Sequence, residues 1–221
     1  MRHSVSCRRA SIGQRAPWAF LLVLTALFGS LAASLALAVS SEEVDTALIV
    51  AIDVSNSVDE QRYRLQMEGI AQALEDSSVI DAILNGPQGS ILFSLMTWAD
   101  RPDILLPWTR IASREDAKAL AARLRKLPRQ TGEFTCMSKM RRSVNDKVVP
   151  QIPARANRIV IDVSGDGPDN CNAQEKTDVV RDELVASGVT VNGLPILDVA
   201  PAGSVAAVTD IEQWYKDHVK G

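Results

Sequence analysis

The first strand of the predicted sheet is encoded by Ala47-Leu-Ile-Val-Ala-Ile-Asp53, and Val54-Ser-Asn-Ser57 follows it directly. Six consecutive apolar residues are typical of a strand buried on both faces, as at the centre of a parallel sheet. Asp53, Ser55 and Ser57 are spaced two residues apart, so their side chains can point the same way where the chain is extended. The sequence therefore predicts a buried strand with three oxygen-bearing side chains at its carboxyl end.

The rest of the chain alternates between strand and helix patterns. A capping-box pattern, Ser57-x-x-Glu60, predicts one helix that runs to about Ala82. Further strands are predicted at residues 90–99, 104–106, 158–164 and 189–194, and further helices at residues 113–127, 136–149, 173–187 and 211–219. This alternation predicts a single α/β domain with a three-layer, doubly wound, mostly parallel sheet and helices on both faces.

The first 38 residues have the composition of an export signal. They contain four arginines and no acidic residue, and the apolar run 18–38 ends in Ala36-Leu37-Ala38. This A-x-A ending predicts a signal peptide over residues 1–38, cleaved after Ala38, with a linker at 39–45 and the domain at 46–221. The alternative is an uncleaved anchor, because 21 residues can span a bilayer. The domain is thus expected to be periplasmic or secreted, or else held at the inner membrane through the leader alone.

Composition excludes several classes of site. The 221 residues contain 24 basic and 27 acidic side chains, a formal charge of −3, so there is no basic footprint for a nucleic acid. His218 is the one histidine after the leader, which excludes a His-rich zinc site. Cys136 and Cys171 form an even pair in an exported chain, which is compatible with a disulfide or with two free buried thiols.

Polar residues gather where ligands bind in such sheets, beyond the carboxyl ends of the strands. Besides Asp53-x-Ser55-x-Ser57, the loop before the third predicted helix holds Thr131 and Thr135, and the fourth strand ends in Ser164-Gly-Asp-Gly167. These side chains offer oxygen ligands without thiolate or imidazole, which suits Mg²⁺ or Mn²⁺. Ordinary turn and capping chemistry would explain each residue alone, but their order along the chain makes the combination more specific.

These residues resemble a von Willebrand factor A domain with a metal-ion-dependent adhesion site. Asp53, Ser55 and Ser57 match the D-x-S-x-S motif of that family. Thr135 matches the threonine of its second loop, and Asp166 matches the aspartate of its third loop. Thr131 is the alternative second-loop residue, and Thr135 is preferred because it lies at the predicted start of a helix.

The resemblance implies a role for each position. The hydroxyls of Ser55 and Ser57 would bind the ion directly, and that of Thr135 when a ligand is engaged. Asp53 and Asp166 would act largely through water or as alternating direct ligands. A carboxylate from a protein partner would complete the octahedron.

More narrowly, the chain resembles a bacterial exported branch called domain of unknown function 1194, through Trp98, Pro107-Trp-Thr109 and Ile161-Asp-Val-Ser-Gly-Asp-Gly-Pro168. In that fold, a Cys136–Cys171 disulfide would join the second and third metal loops. The family pattern also leads us to expect a sixth strand and a closing helix after residue 219, so the domain is expected to be cut short with an exposed sheet edge.

The function expected from this resemblance is metal-dependent protein binding, without catalysis. The alternative is a metal-dependent phosphohydrolase on a similar α/β fold. The phosphatase pattern D-x-D-x-T is absent, because Ser55 stands two residues after Asp53.

Overall fold

The computed structural model describes residues 42–171, 174–197 and 208–221, with the backbone alone for 208–210. The expected leader and its cleavage after Ala38 lie outside these ranges. In the described ranges, no helix is both long and apolar enough to cross a membrane. The first strand begins at Glu43, so residues 43–45, which the sequence assigned to a linker, belong to the sheet.

The domain is built on one five-stranded sheet with the order β3-β2-β1-β4-β5. Its strands are β1 (Glu43–Asp53), β2 (Ile91–Trp98), β3 (Pro102–Ile111), β4 (Arg155–Gly165) and β5 (Val189–Pro195). All neighbouring pairs are parallel except β2 and β3, which pair antiparallel. A crossover needs far more residues than the three that join β2 to β3, so these two strands form a hairpin. The mostly parallel sheet is confirmed, and β3 is longer than predicted.

Six α-helices connect and cover the strands in the described ranges. They are α1 (Glu60–Glu75), α2 (Ser77–Leu84), α3 (Arg114–Leu124), α4 (Met137–Ser143), α5 (Thr177–Ala186) and α6 (Val208–His218). A π-helical turn and a 3₁₀ turn continue α4 to Gln151. The helices lie near their predicted positions, with one exception.

The single helix predicted from Ser57 to about Ala82 is wrong, because Asp76 divides it. The Asp76 side chain accepts hydrogen bonds from the N–H groups of Ser78 and Val79 at 2.8 and 3.2 Å, which caps α2. The beginning also differs: Asp59 caps α1 by accepting the Arg62 N–H at 2.8 Å. Asp favours helix caps over helix interiors because its short side chain competes for backbone N–H groups.

The sheet is buried on both faces, as the run after Ala47 predicts. On one face, Ile52 of β1 packs with Phe93 and Leu95 of β2 against α1 and α3. On the other face, Ile49 and Ala51 pack with residues of β4 and β5 against α4, α5 and α6. Side chains alternate between the two faces along β1, so the side chain of Asp53 lies on the same face as Ile49 and Ala51, the face that α4–α6 cover.

Candidate metal centre

The carboxyl ends of β1 and β4 are neighbours because the two strands are parallel and in register. Ile52 pairs with Ser164, so the strands end side by side at Asp53 and Gly165. Three loops meet near this edge: the first loop (residues 54–59), the second loop (residues 125–136) and the third loop (residues 166–176). This topology brings together side chains that are more than a hundred residues apart in the sequence.

Four of the five predicted site residues form one chain of hydrogen bonds. The Ser55 N–H donates to Asp53 Oδ1 at 2.8 Å, and the hydroxyl oxygens of Ser55 and Ser57 are 3.2 Å apart. The Ser57 hydroxyl donates to Asp166 Oδ1 at 2.6 Å. The motif of the first loop therefore reaches the carboxylate of the third loop directly.

Asp53 is a buried carboxylate with one oxygen unsatisfied. Its side chain is 0% exposed, and its Oδ2 atom has no hydrogen-bond partner among the described residues. Burial raises the pKa of Asp53 from its ordinary value of 3.8 to about 6; the Ser55 hydrogen bonds lower it, and the charge of Asp166 raises it further. A buried carboxylate oxygen without a donor is unfavourable in the ionised state, and a cation beside it would remove that penalty.

The donor set fits a hard divalent cation. Carboxylate and hydroxyl oxygens are what Mg²⁺ and Mn²⁺ prefer, and the orphaned Asp53 Oδ2 is a position where such an ion would be stabilised. No three His, Cys, Asp or Glu side chains of the described ranges are grouped in a way that could hold a metal.

Arg62 is a cation at this site that the sequence did not predict. From the first turn of α1, its Nη1 atom donates to Asp166 Oδ2 at 3.1 Å and to the Ser57 carbonyl oxygen at 3.1 Å. Asp166 is thus already paired with a positive charge, and its side chain is only 7% exposed. No pattern in the sequence distinguishes Arg62 from Arg64, which pairs with Glu60 at the surface.

Thr135 is buried in the second loop and joins that loop to the third. Its N–H donates to Asn170 Oδ1 at 2.8 Å, and the Asn170 N–H donates to the Thr135 carbonyl oxygen at 3.1 Å. Among the described residues, no hydrogen bond links the Thr135 hydroxyl to the other four predicted ligands. Thr131 is exposed. The metal role of Thr135 therefore stays a prediction.

The Cys136–Cys171 disulfide is confirmed and makes a second connection between these loops. Asp169 of the third loop adds a contact with the first turn of α4, because its carboxylate accepts the Ser138 N–H as well as the Cys171 N–H of its own loop, both at 3.0 Å. The third loop is therefore joined to the second loop and to the start of α4 by a covalent bond and by hydrogen bonds on both sides of it.

Asp100, which follows β2, also holds the second loop in place. The Asp100 carboxylate accepts the N–H groups of Glu133 and Phe134 at 2.7 and 3.0 Å, and these bonds hold its pKa below the ordinary range. The Gly132 N–H donates to the Val54 carbonyl oxygen at 3.2 Å, which attaches this loop to the first loop. Hydrogen bonds from its backbone N–H groups thus fix the loop that carries Thr135.

The family model described as "Protein of unknown function (DUF1194)" matches residues 43–221. The chain belongs to the DUF1194 family. No curated protein is significantly similar to it.

Solved structures share the von Willebrand A fold. Proximal thread matrix protein 1 (PTMP1) from the mussel byssus is 18% identical with a TM-score of 0.56, over 71% of this chain and 38% of that one. A PTMP1 structure with a zinc-occupied MIDAS motif is 15% identical with a TM-score of 0.53, over 79% and 44%. The vWF domain of the type V pili tip protein Mfa5 from Porphyromonas gingivalis is 15% identical with a TM-score of 0.39, over 79% and 49%. The chain thus spans less than half the length of these structures.

Proposed function

We propose that this domain is an exported protein-binding module that captures a carboxylate of a partner protein through Mg²⁺ or Mn²⁺. The ion would be held by side-chain oxygens from the end of β1 and from the three loops, those of Asp53, Ser55, Ser57, Thr135 and Asp166. When bound, the ion would supply a positive charge with a coordination position open to an outside carboxylate.

The observation that carries the proposal is the hydrogen-bonded chain from Asp53 to Asp166. It places two carboxylates and two hydroxyls of distant loops together, and it leaves Asp53 Oδ2 buried without a partner. The two carboxylates would balance the charge of the ion, and the hydroxyl ligands would add no further negative charge, so a carboxylate of a partner could still take an open coordination position. That balance suits ligand capture better than closed storage of the ion.

A protein with the same fold supports the same proposal. PTMP1, which shares the fold, has been observed with zinc in its MIDAS motif. The basic, apolar leader with an A-x-A ending supports export of the domain. A partner in that compartment would meet the three loops at the carboxyl edge of the sheet, where these folds bind ligands.

Calorimetric titration with Mg²⁺ and Mn²⁺ tests the metal site. Ser55→Ala removes one hydroxyl ligand and should weaken ion binding strongly. Ser187→Ala is the matched control. The Ser187 hydroxyl donates to the Leu184 carbonyl oxygen at 2.7 Å at the end of α5, just before β5 begins, so it lies at the amino ends of the strands, away from the site. Equal affinities in wild type and Ser55→Ala would refute the site.

Capture from a periplasmic extract tests the partner chemistry. Binding should need Mg²⁺ or Mn²⁺, disappear in EDTA, and disappear when carboxylates of the extract have been amidated beforehand. Capture of a partner whose carboxylates have been amidated would refute the proposal that the ion binds a carboxylate. Metal-dependent hydrolysis of p-nitrophenyl phosphate, lost in Ser55→Ala, would instead support the phosphohydrolase alternative.

A further inference from the structure

Tyr215 of α6 brings a second unsatisfied polar atom to the back of the site. The side chain is 2% exposed, and its hydroxyl has no hydrogen-bond partner among the described residues. The ring packs closely over Gly193 of β5, where a Cβ atom would lie 2.9 Å from Tyr215 Cδ1. The ring therefore crosses from β5 towards the carboxyl end of β4.

The Tyr215 hydroxyl and the unsatisfied oxygen of Asp53 meet at Gly165. A Cβ atom at position 165 would lie 2.5 Å from the Tyr215 hydroxyl and 2.8 Å from Asp53 Oδ2. Both atoms thus pack against Gly165 and occupy the position that a side chain at residue 165 would need. The pKa of Tyr215 is raised, first by burial and then by the negative charges of Asp53 and Asp166.

The two orphaned atoms are chemically complementary. A phenol donates one hydrogen, whereas an ionised carboxylate oxygen only accepts. Buried polar atoms are nearly always paired in native proteins, so two unpaired atoms packed against the same glycine suggest that they serve each other. Asp53 Oδ1 is already fixed by the Ser55 N–H. Because each carboxylate oxygen has two lone pairs, Oδ2 can accept the phenol hydrogen and also face the ion, so this donor would orient the carboxylate without taking the place of the metal.

The end of α6 is held firmly, which keeps Tyr215 in place. Arg141 of α4 is 0% exposed, and its guanidinium donates to the carbonyl oxygens of His218 and Val219 at 3.1 and 3.0 Å. The same guanidinium donates to the Thr177 carbonyl and hydroxyl oxygens at the start of α5, both at 2.9 Å. A rigid support is what a residue that orients a metal ligand needs.

We propose that Tyr215 is a positioning residue of the metal centre: its hydroxyl donates to Asp53 Oδ2, directly or through one water molecule, and orients the carboxylate for the ion. This inference rests on the proposed metal site and adds a residue to it. Residues that orient a metal ligand change metal affinity by about 10–100-fold when they are removed.

Tyr215→Phe and Tyr63→Phe make a matched pair, because the chain has only these two tyrosines. Tyr63 is also buried, but it packs in the core on the opposite face of the sheet, and its hydroxyl is 3.5 Å from the Pro128 carbonyl oxygen. In calorimetric titration with Mg²⁺, Tyr215→Phe should bind the ion at least about 10-fold more weakly, and Tyr63→Phe should bind it like wild type.

A spectroscopic measurement separates positioning from packing. In Tyr63→Phe protein labelled with ¹³C-tyrosine, the single Cζ resonance of Tyr215 should move when Mg²⁺ is added, because the ion withdraws charge from the carboxylate that accepts the Tyr215 hydrogen bond. A stationary resonance, an unchanged Mg²⁺ affinity in Tyr215→Phe, or equal weakening in both variants would overturn the inference. A wild-type protein that binds no Mg²⁺ would overturn the proposed function, and the inference with it.

Discussion

The buried Asp53 carboxylate should make the metal-free domain less stable at neutral pH than in mild acid. Its pKa is about 6 in the folded protein and about 3.8 in the unfolded chain. Between these values the folded state holds a proton that the unfolded chain has released, so stability falls as the pH rises from about 4 to 6. Each pKa unit corresponds to about 1.36 kcal/mol, so the buried charge costs about 3 kcal/mol at neutral pH.

Asp53→Asn tests this value directly, because it removes the charge and keeps an acceptor for the Ser55 N–H. In EDTA at about pH 7.5, the variant should be more stable than wild type by up to about 3 kcal/mol. For a domain of this size, that corresponds to a Tm increase of roughly 2–4 °C per kcal/mol. The difference should shrink as the pH is lowered from about 6 towards 4. Added Mg²⁺ should stabilise the wild type and leave the variant unchanged.

The assay is thermal unfolding followed by circular dichroism in EDTA, at several pH values and then with Mg²⁺. Asp166→Asn is the control, and it should change the stability in the opposite direction. The Asp166 carboxylate accepts a hydrogen bond from the Ser57 hydroxyl and pairs with Arg62, so removal of its charge should destabilise the domain. If Asp53→Asn is no more stable than wild type at about pH 7.5 in EDTA, the free-energy cost assigned to the buried Asp53 charge is refuted.

Three further changes test parts of the same structure. Reduction of the Cys136–Cys171 disulfide should lower the free energy of unfolding by about 3–4 kcal/mol, as expected for a loop of this length; an unchanged urea midpoint in reductant would contradict this. Gly165→Ala should cost about 1–3 kcal/mol through overpacking, whereas Gly167→Ala, with no atom within 4 Å of its Cβ position, should be neutral; equal Tm shifts would count against the packing described. Arg141→Met should cost at least about 2 kcal/mol in urea unfolding, since two carbonyls at the end of α6 lose their donor; a smaller loss would show that water replaces the guanidinium.

The centre of the fold could be predicted from sequence because burial on both faces leaves a continuous apolar run. That signal identified β1 and β4. It was weaker for β3, an edge strand with mixed exposure, whose apolar run covers only Ile104–Leu106. The end of α1 was missed because Asp76 resembles an exposed residue within a helix until its side chain is seen to cap α2.

The candidate site could be predicted as far as its parts are local. The spacing of Asp53, Ser55 and Ser57 predicts their common direction, and the order of the loops predicts that Asp166 lies near them. Arg62 and Tyr215 could not be predicted in the same way. Their positions depend on how α1 and α6 pack against the strand ends, and in the sequence they look like an ordinary surface arginine and an ordinary core aromatic residue.

The disulfide, the Thr135–Asn170 pair and the Asp169 carboxylate reduce the number of ways in which the site can move. The covalent bond and these hydrogen bonds tie the second loop and the start of α4 to residues 169–171 of the third loop. In the described structure, the first loop and the start of α1 contact these loops through the Ser57–Asp166 hydrogen bond, the Arg62–Asp166 ion pair and the hydrogen bond from the Gly132 N–H to the Val54 carbonyl oxygen. We therefore expect the second and third loops to move together relative to the first loop, with the distance between Ser57 and Asp166 as the measure of that motion.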